Sequence, residues 1–342
     1  MNMSQAINQV LAHKDLSAEQ MTEVMRTIMT GGATDAQIGG FLIGLRMKGE
    51  SVTEITAAAA VMRELASGVD IGGLAHAVDI VGTGGDASGT FNVSTASMFV
   101  AAAAGCHVAK HGNRSVSSRS GSADALEAAG INLMLTPQQV EQCVRELGVG
   151  FMFAPGHHSA MKYAIGPRKE MAARTVFNVL GPLTNPANVP NLLLGVFSAE
   201  LLEIMAEVLK NLGAKHVLVV HSRDGLDEIS IGDATDVAEL KDGKITHYAI
   251  GPHDFGLQRT PIEQIKADGP QQSVAIIRDV LAGKPGPARD IVAMNAGAAI
   301  YAAGIADTLA AGVEKAQQVL DSGEALARLE RLAALTQGMR ND

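Results

Sequence analysis

A glycine-rich turn follows the first apolar strand pattern of the chain. The run at 78–81, Val-Asp-Ile-Val, is typical of a strand; Gly82-Thr83-Gly84-Gly85-Asp86 follows it, and Asn92-Val-Ser-Thr95 opens the next predicted helix. Such a turn exposes backbone N–H groups and the helix N-terminus adds partial positive charge, so the pattern predicts a phosphate site. It matches neither GxGxxG nor a Walker loop, which disfavours a dinucleotide or ATP. The alternative is a tight turn without a ligand.

A second polar cluster runs from Lys110 to Ser118, directly after the strand predicted at 106–109. Its cations, hydroxyls and amide suit a phosphate or pyrophosphate better than an apolar partner. In an open α/β sheet, ligands bind beyond the carboxyl ends of the strands, so the two clusters are expected to meet there. The alternative is a solvated polar loop.

A third loop, at 221–228, presents three carboxylates after the strand predicted at 216–220. Beside a polyphosphate, these carboxylates suit Mg²⁺, which binds a few carboxylates together with substrate phosphates and waters. The alternative is a polar turn.

Two further patterns contain a basic pair or adjacent histidines. Pro167-Arg168-Lys169-Glu170 is predicted to start a helix over about 168–180, where cations would oppose the helix dipole, so a role beyond helix stability is favoured. A solvent-exposed basic pair is the alternative. His157 and His158 are adjacent and lack metal-ligand spacing, which argues against a metal site.

The elements around these loops predict an α/β fold with a mainly parallel sheet. Capping boxes at Ser17, Thr34 and Ser51 mark three helix starts, so residues 1 to about 70 are predicted to form a small helical unit. After 72–73, short β-branched runs alternate with helical stretches, which is typical of βαβ units. From about Gln271 the chain is again helical.

Composition excludes several classes of protein. The 342 residues carry 27 Lys and Arg against 36 Asp and Glu, a net charge of −9 that argues against nucleic-acid binding. No apolar stretch reaches the roughly 20 residues of a membrane span, and the first residues do not resemble a signal peptide. Cys106 and Cys143 are expected to be buried, reduced thiols, so we expect a cytoplasmic protein without a membrane partner.

The motifs together resemble those of the anthranilate phosphoribosyltransferases over essentially the whole chain. Beyond the three loops, the resemblance rests on the run from Arg174 to Pro186 and on Asp224-Gly-Leu-Asp-Glu-Ile-Ser230. It implies a nucleoside-phosphorylase-like fold with a small helical domain at 1–72, joined by helices from about 164–190. A large α/β domain would comprise 73–163 and 191–342, and the helical domain would mediate a homodimer.

The resemblance also implies a reaction of tryptophan biosynthesis, in which the amine of anthranilate displaces pyrophosphate from phosphoribosyl pyrophosphate (PRPP). Lys110, Asn113 and Arg168 would be the catalytic residues. The implied anthranilate contacts are Gly82, His111, Asn113 and Arg168, and the implied Mg²⁺ ligands are Ser94, Asp227 and Glu228. The implied PRPP contacts are Gly82, Gly85, Asp86, Thr90, Asn92, Val93, Ser94, Thr95, Lys110, His111, Gly112, Asn113, Arg114, Ser115, Val116, Ser117, Ser118 and Ser122.

A few positions depart from the family pattern around the anthranilate pocket: Ser159, Gly166 and Ala172-Ala173. Two alternatives stay open from the sequence. One is a pyrimidine nucleoside phosphorylase-like enzyme, which the Lys110–Arg114 run and Asp227-Glu228 disfavour. The other is a non-catalytic nucleic-acid-binding paralogue, which the negative charge disfavours.

Overall fold

The computed structural model describes residues 1–86, 88–115 and 120–339. Within these residues the chain forms fifteen α-helices. In chain order they are α1 (Met3–Leu11), α2 (Ala18–Met29), α3 (Asp35–Lys48), α4 (Val52–Glu64), α5 (Val93–Ala103), α6 (Ser122–Ala128), α7 (Pro137–Leu147), α8 (Ala154–His157), α9 (Lys162–Met171), α10 (Phe177–Leu180), α11 (Leu201–Asn211), α12 (Pro270–Leu281), α13 (Pro287–Ala302), α14 (Leu309–Ser322) and α15 (Glu324–Gly338).

A seven-stranded sheet lies at the centre of the larger part of the molecule. Its strands are β1 (Ala77–Gly82), β2 (His107–Gly112), β3 (Val149–Phe153), β4 (Asn191–Gly195), β5 (His216–Ser222), β6 (Thr235–Lys241) and β7 (Lys244–Ile250). The spatial order is β3-β2-β1-β4-β5-β6-β7. The first five of these are parallel, and β6 and β7 extend the sheet as an antiparallel pair. The predicted α/β fold with a mainly parallel sheet is confirmed.

The alternation of side chains along the strands divides the apolar core between the two faces of the sheet. On β4, Leu193 joins the core formed with α5 and α13, whereas Leu192 and Leu194 join the core that extends to the N-terminal helices. Because both faces are covered by helices, the parallel strands are apolar on both sides rather than on one.

The N-terminal helices begin where their capping boxes predict. The Ser17, Thr34 and Ser51 side chains each accept from the backbone N–H three residues on, and the Gln or Glu at that position bonds back. Sequence inspection missed α1, although Asn2 and Gln5 form the same motif. The α2 and α4 helices pack together, as do α1 and α3.

Several predicted boundaries were wrong. The second strand does not end at 109 but continues to Gly112, and the strand predicted at 216–220 continues to Ser222. The helix predicted over 168–180 is instead two helices, α9 and α10, separated where Ala172 takes a left-handed conformation with φ of 48°. The β6–β7 hairpin was not predicted.

Helices from the middle of the chain contact the N-terminal ones: α9 packs on α2 and α3, and α10 on α4. The division into a helical domain of 1–72 with 164–190, and an α/β domain of the remainder, stays a prediction. Among the residues that the structure describes, no helix is long and apolar enough to span a membrane.

Candidate active site

Three of the loops singled out in the sequence meet at the carboxyl edge of the sheet. Strands β1 and β2 are parallel neighbours, so the glycine-rich turn and the Lys110 segment lie side by side. The loop after β5 reaches the same place, since Asp227 Oδ2 accepts from the backbone N–H of Gly84 at 2.7 Å. Tertiary structure therefore brings backbone N–H groups, the Lys110 segment and the carboxylates of the third loop together at one place.

Two glycines make this approach possible. A Cβ on Gly82 would lie 2.5 Å from Asp227 Oδ2, and one on Gly195 would lie 1.6 Å from the Asp227 carbonyl oxygen. Both distances are shorter than side-chain contacts allow. The loop that carries Asp227 therefore crosses the ends of β1 and β4 only because neither strand ends in a larger residue.

Lys110 lies within β2 and is only 1% exposed. Its ammonium donates to the carbonyl of Ile80 and, at 3.2 Å, to Ser94 Oγ at the start of α5. Burial lowers the pKa of Lys110, while the charges of Asp79 and Glu228 oppose that shift. The sequence placed Lys110 in a loop after the strand; inside the strand its ammonium is fixed instead of solvated.

Asp79 is a buried carboxylate beneath this lysine that sequence inspection did not single out. Its Oδ2 accepts from Asn185 Nδ2 at 2.7 Å, and burial raises its pKa to about 6. Asn185 also donates to the Ala109 carbonyl at 2.9 Å, which ties β1, β2 and the 185–187 turn together. An acid in the middle of an apolar strand pattern was the available signal.

Asp227 and Glu228 are buried side by side, with the Lys110 ammonium as a neighbouring positive charge. Burial raises the pKa of Asp227, and the neighbouring Asp86 raises it further. Burial also raises the pKa of Glu228, and Asp227 adds to that shift, while the charge of Lys110 and a hydrogen bond with the Ser94 backbone oppose it. A nearby cation would relieve this repulsion.

The oxygen donors of Ser94, Asp227 and Glu228 fit Mg²⁺, a hard cation that prefers oxygen ligands. Outside residues 87, 116–119 and 340–342, no group of three or more His, Cys, Asp or Glu side chains is arranged to hold a metal ion. Mg²⁺ does not require such a group, since it commonly uses one or two carboxylates with waters and substrate phosphates.

The first turn of α5 presents further polar groups at the same edge. The Thr95 hydroxyl is buried and has no hydrogen-bond partner within the described part of the chain. The Val93 side chain is buried in the core, which leaves its backbone as the part that can reach a ligand. Thr90, by contrast, lies in the preceding loop, 3.2 Å from Ser88 Oγ through its hydroxyl.

Part of the segment after β2 contacts neighbouring protein side chains. Arg114 pairs with Glu127 at 2.7 Å and with Asp124 at 3.2 Å, both on α6, and its guanidinium lies 5.5 Å from the centre of the Phe153 ring. Asn113 is exposed, and Ser122 is the first residue of α6. The predicted contacts Val116, Ser117 and Ser118 lie outside the described residues.

Arg168 lies in the last turn of α9, and not at a helix start as predicted. A cation is favourable at that end of a helix, so the argument from the helix dipole was wrong. The guanidinium is half-buried over the Phe177 ring, 5.0 Å from its centre, and burial lowers its pKa. A desolvated guanidinium remains charged and suits a carboxylate.

Two histidines lie near the segment between Phe177 and Thr184. The rings of His111 and His158 are 5.0 Å apart, and both Nε2 atoms are buried without a hydrogen-bond partner in the described structure. Burial lowers the pKa of His111, and burial lowers that of His158 to about 4, so both rings are neutral at pH 7. Sequence inspection considered His158 only as a metal ligand and missed this pairing.

Arg174 is another residue that the sequence did not assign to the site. It donates to the Gly85 carbonyl at 2.7 Å, and its guanidinium lies 4.2 Å from the centre of the Phe197 ring. The segment between α9 and α10 therefore touches the glycine-rich turn directly.

Known proteins resemble this chain over nearly its whole length. Residues 74–326 match the α/β domain of a glycosyl transferase family, and residues 4–66 match the helical bundle domain of that family. The anthranilate phosphoribosyltransferase of Thioalkalivibrio sulfidiphilus is 59% identical over 336 residues, which cover 98% of this chain and 99% of that protein. The chain belongs to the anthranilate phosphoribosyltransferase family.

Relatives in the family share both sequence and fold. The anthranilate phosphoribosyltransferase of Marinomonas sp. is 60% identical, with 98% of this chain and 97% of that protein covered. The Thermus thermophilus enzyme superposes with a TM-score of 0.92 at 45% identity, over 97% of this chain and 99% of that one. The Saccharomyces cerevisiae enzyme, solved in complex with PRPP and Mg, gives 0.90 at 27% identity over 98% of both chains.

Proposed function

We propose that this chain transfers the phosphoribosyl group of PRPP to the amine of anthranilate, releasing pyrophosphate, as a cytoplasmic enzyme of tryptophan biosynthesis. The observation that carries the proposal is the junction of the three loops, where the Gly84 N–H meets Asp227 and Lys110 meets Ser94. A site for a pyrophosphate ester and its metal needs both kinds of group at one place. The family of the chain supports the same activity.

The phosphoribosyl half of the site is proposed to lie between the glycine-rich turn and the start of α5. The backbone of Gly82 and Gly85, the unpartnered Thr95 hydroxyl and the Lys110 ammonium would bind the phosphates. Lys110 is fixed by its contacts with Ile80 and Ser94, so little reorganisation is needed when charge develops on the leaving pyrophosphate.

Mg²⁺ is proposed as the cofactor, held by Ser94, Asp227 and Glu228. When bound, it would neutralise part of the negative charge that accumulates on the pyrophosphate. The raised pKa values of the two acids support this assignment, because burial and neighbouring carboxylates disfavour their ionised forms, which a bound cation would stabilise.

The anthranilate half is proposed to lie beside the 177–184 segment. Arg168 would bind the carboxylate, and His111 and Asn113 would orient the ring and its amine. The unpartnered Nε2 of His111 supports this placement, because a buried polar atom of this kind is normally satisfied by a ligand or water.

In the proposed reaction, the amine nitrogen forms a bond to the ribose anomeric carbon as the bond from that carbon to the pyrophosphate oxygen breaks. An aromatic amine is neutral at pH 7, so no strong base is needed before attack. The nitrogen releases its extra proton after the bond has formed, to water or to the departing pyrophosphate. The protein's contribution is to position the two substrates and to stabilise the leaving group.

The direct test mixes purified protein with anthranilate, PRPP and Mg²⁺ and follows the loss of anthranilate fluorescence. We expect a loss that requires both PRPP and metal and stops when EDTA is added. A protein that binds PRPP but leaves anthranilate unchanged would contradict the proposed acceptor. Turnover that persists in EDTA would contradict the proposed cofactor.

A homodimer through the helical domain is the proposed assembly. It is supported by two apolar side chains on neighbouring helices, Leu11 on α1 and Met47 on α3, which are 60% and 72% exposed. Light scattering on the eluting protein should give twice the chain mass, and a charged residue at Met47 should reduce it to the mass of one chain.

A further inference from the structure

A cluster of three polar residues lies behind the start of α5. Asn92 directly precedes that helix, Ser120 precedes α6, and Ser273 lies in the first turns of α12. We call these residues the Asn92 cluster. Ser273 is fully buried, and Asn92 and Ser120 are half-buried. The cluster therefore joins three distant parts of the chain at the start of α5, next to the phosphate site proposed above.

Hydrogen bonds engage nearly all the polar capacity of Asn92. Its Oδ1 accepts from Ser273 Oγ at 2.7 Å and from Ser120 Oγ at 2.8 Å. Its Nδ2 donates to the Ser120 carbonyl at 3.0 Å, and its backbone N–H donates to Ser273 Oγ at 3.0 Å. Since an amide oxygen has two lone pairs and the nitrogen two hydrogens, the side chain has one N–H left for a ligand.

This arrangement leaves α5 without a side-chain cap, although Asn is among the best residues for that position. Three helices with a polar residue at that position show the contrast: Ser17 caps α2, Thr34 caps α3, and Thr136 caps α7 with its own side chain. At α5, the cluster turns the Asn92 side chain away from the helix. The first-turn amides of α5 are therefore not blocked by the residue that would ordinarily bond to them.

The chain near α12 also holds the segment 89–92, which lies between the glycine-rich turn and α5. The Phe91 N–H donates to the Ile265 carbonyl at 3.0 Å, and the Ala267 N–H donates to the Gly89 carbonyl at 3.0 Å. Residues 265–273 thus support the segment 89–92 at three points, through Ile265, Ala267 and Ser273. Ser120 extends this support to the loop after β2.

We propose that Ser273 is a positioning residue for PRPP. Its hydrogen bonds to Asn92 keep the first amides of α5 free of a side-chain cap. Through Asn92 it also holds Ser120, in the loop after β2, in a fixed position relative to the start of α5. This inference rests on the function proposed above, because it concerns the same phosphate site. Ser273 itself does not touch the substrate.

The test compares Ser273→Ala with Ser97→Ala. Ser97 is also fully buried, and its hydroxyl donates at 2.9 Å to the carbonyl of Val93 in its own helix, so its loss removes a buried hydroxyl of α5 without touching the cluster. Steady-state kinetics would be measured for both substrates, and calorimetry would measure PRPP binding with Mg²⁺ and without anthranilate.

For Ser273→Ala we expect the Kd and KM for PRPP to rise about tenfold, consistent with the loss of a buried hydrogen bond and its unsatisfied partners. The KM for anthranilate should stay within twofold, and Ser97→Ala should keep the wild-type Kd and KM for PRPP. A purely structural role would lower the active fraction and the melting temperature while leaving the Kd and KM for PRPP unchanged, and that result would overturn the proposal.

A second variant, Ser120→Ala, keeps the test decisive if Ser273→Ala folds poorly, since Ser120 is only half-buried. It should raise the Kd for PRPP in the same direction. In the double variant, the increase should be smaller than the product of the two single increases, because both serines act through one side chain. Fully multiplicative effects would contradict that shared route.

The same measurements separate this proposal from the proposed function. Wild-type protein that binds PRPP but does not consume anthranilate would refute the acceptor, and calorimetry would still test Ser273. Wild-type protein that turns over normally, together with an unaffected Ser273→Ala variant, would refute the positioning role alone.

Discussion

Two acidic centres, one in the loop after β5 and one on β6, have opposite electrostatic surroundings. At the carboxyl edge, Asp227 and Glu228 lie against each other, and burial together with neighbouring negative charge raises the pKa of both. In the antiparallel part, Glu239 on β6 accepts from His216, Tyr301 and Tyr248, each at 2.8 Å. Burial tends to raise the pKa of Glu239, but these hydrogen bonds lower it overall.

The protein's own hydrogen-bond donors are enough to stabilise the ionised form of Glu239, but they are not enough for Asp227 and Glu228. Glu239 has enough donors to remain ionised while buried, so its hydrogen bonds contribute to the stability of the fold. For Asp227 and Glu228, backbone hydrogen bonds and the charge of Lys110 do not offset burial and mutual repulsion, so their ionised form is disfavoured until a further cation is present. Strongly raised pKa values of this kind are typical of functional sites.

The largest expected effect comes from Asp227→Asn. We expect kcat/KM for PRPP to fall by about 100-fold, or about 2.7 kcal/mol, because the proposed metal site loses a charged ligand. The melting temperature without Mg²⁺ should be unchanged or higher, since the substitution removes a repelling charge. The matched control is Asp236→Asn, whose carboxylate pairs with Arg223 outside the site. Lower stability with unchanged kinetics would show that Asp227 stabilises the fold, as expected of Glu239, and would contradict its role as a metal ligand.

Glu239→Gln should show the reverse pattern. We expect it to lower the free energy of unfolding by about 2 kcal/mol, because one buried and two partly buried donors lose a charged acceptor, while kcat/KM stays within twofold. Urea denaturation and steady-state kinetics would measure the two quantities. Glu203→Gln is the control, because its partner His247 forms an exposed pair and such pairs contribute about 0–1 kcal/mol. A large loss of activity in Glu239→Gln would contradict the conclusion that Glu239 serves stability and not the reaction.

Arg168→Ala tests whether different residues bind anthranilate and PRPP in the proposed site. We expect the KM for anthranilate to rise about tenfold, since a charged hydrogen bond is lost, while the KM for PRPP stays nearly constant. Lys169→Ala, an exposed neighbour, should leave both values unchanged. Unchanged anthranilate kinetics in Arg168→Ala would remove this arginine from the proposed pocket.

The smallest expected effect is a pH dependence of stability at Glu239. Its pKa is lower in the folded protein than the usual 4.5, so its contribution is present above about pH 4.5 and is lost as the pH falls through the folded-state value. The stability difference between wild type and Glu239→Gln should therefore be constant from pH 6 to 7 and shrink toward pH 4. Urea denaturation across this range would measure it; a difference that grows on acidification would contradict the assignment.

Local signals in the sequence were reliable where neighbouring residues decide the structure. The capping boxes at Ser17, Thr34 and Ser51 marked helix starts correctly, because both partners of each hydrogen bond lie within three residues. The parallel strand pattern was likewise recognisable from short apolar runs. At Arg168 the same approach failed, since Pro167 was taken as a helix start although it lies inside α9.

The site could be predicted in part for the same reason. By itself the sequence determined the glycine-rich turn, the basic segment after it and the acidic loop, and its motifs indicated the family. Only the tertiary structure decided that Asp227 reaches Gly84 across β4, that the Lys110 ammonium is fixed inside a strand, and that Ser273 bonds to Asn92 from 181 residues away. These contacts depend on how strands and helices pack, and no local spacing in the chain encodes which distant polar groups that packing will pair.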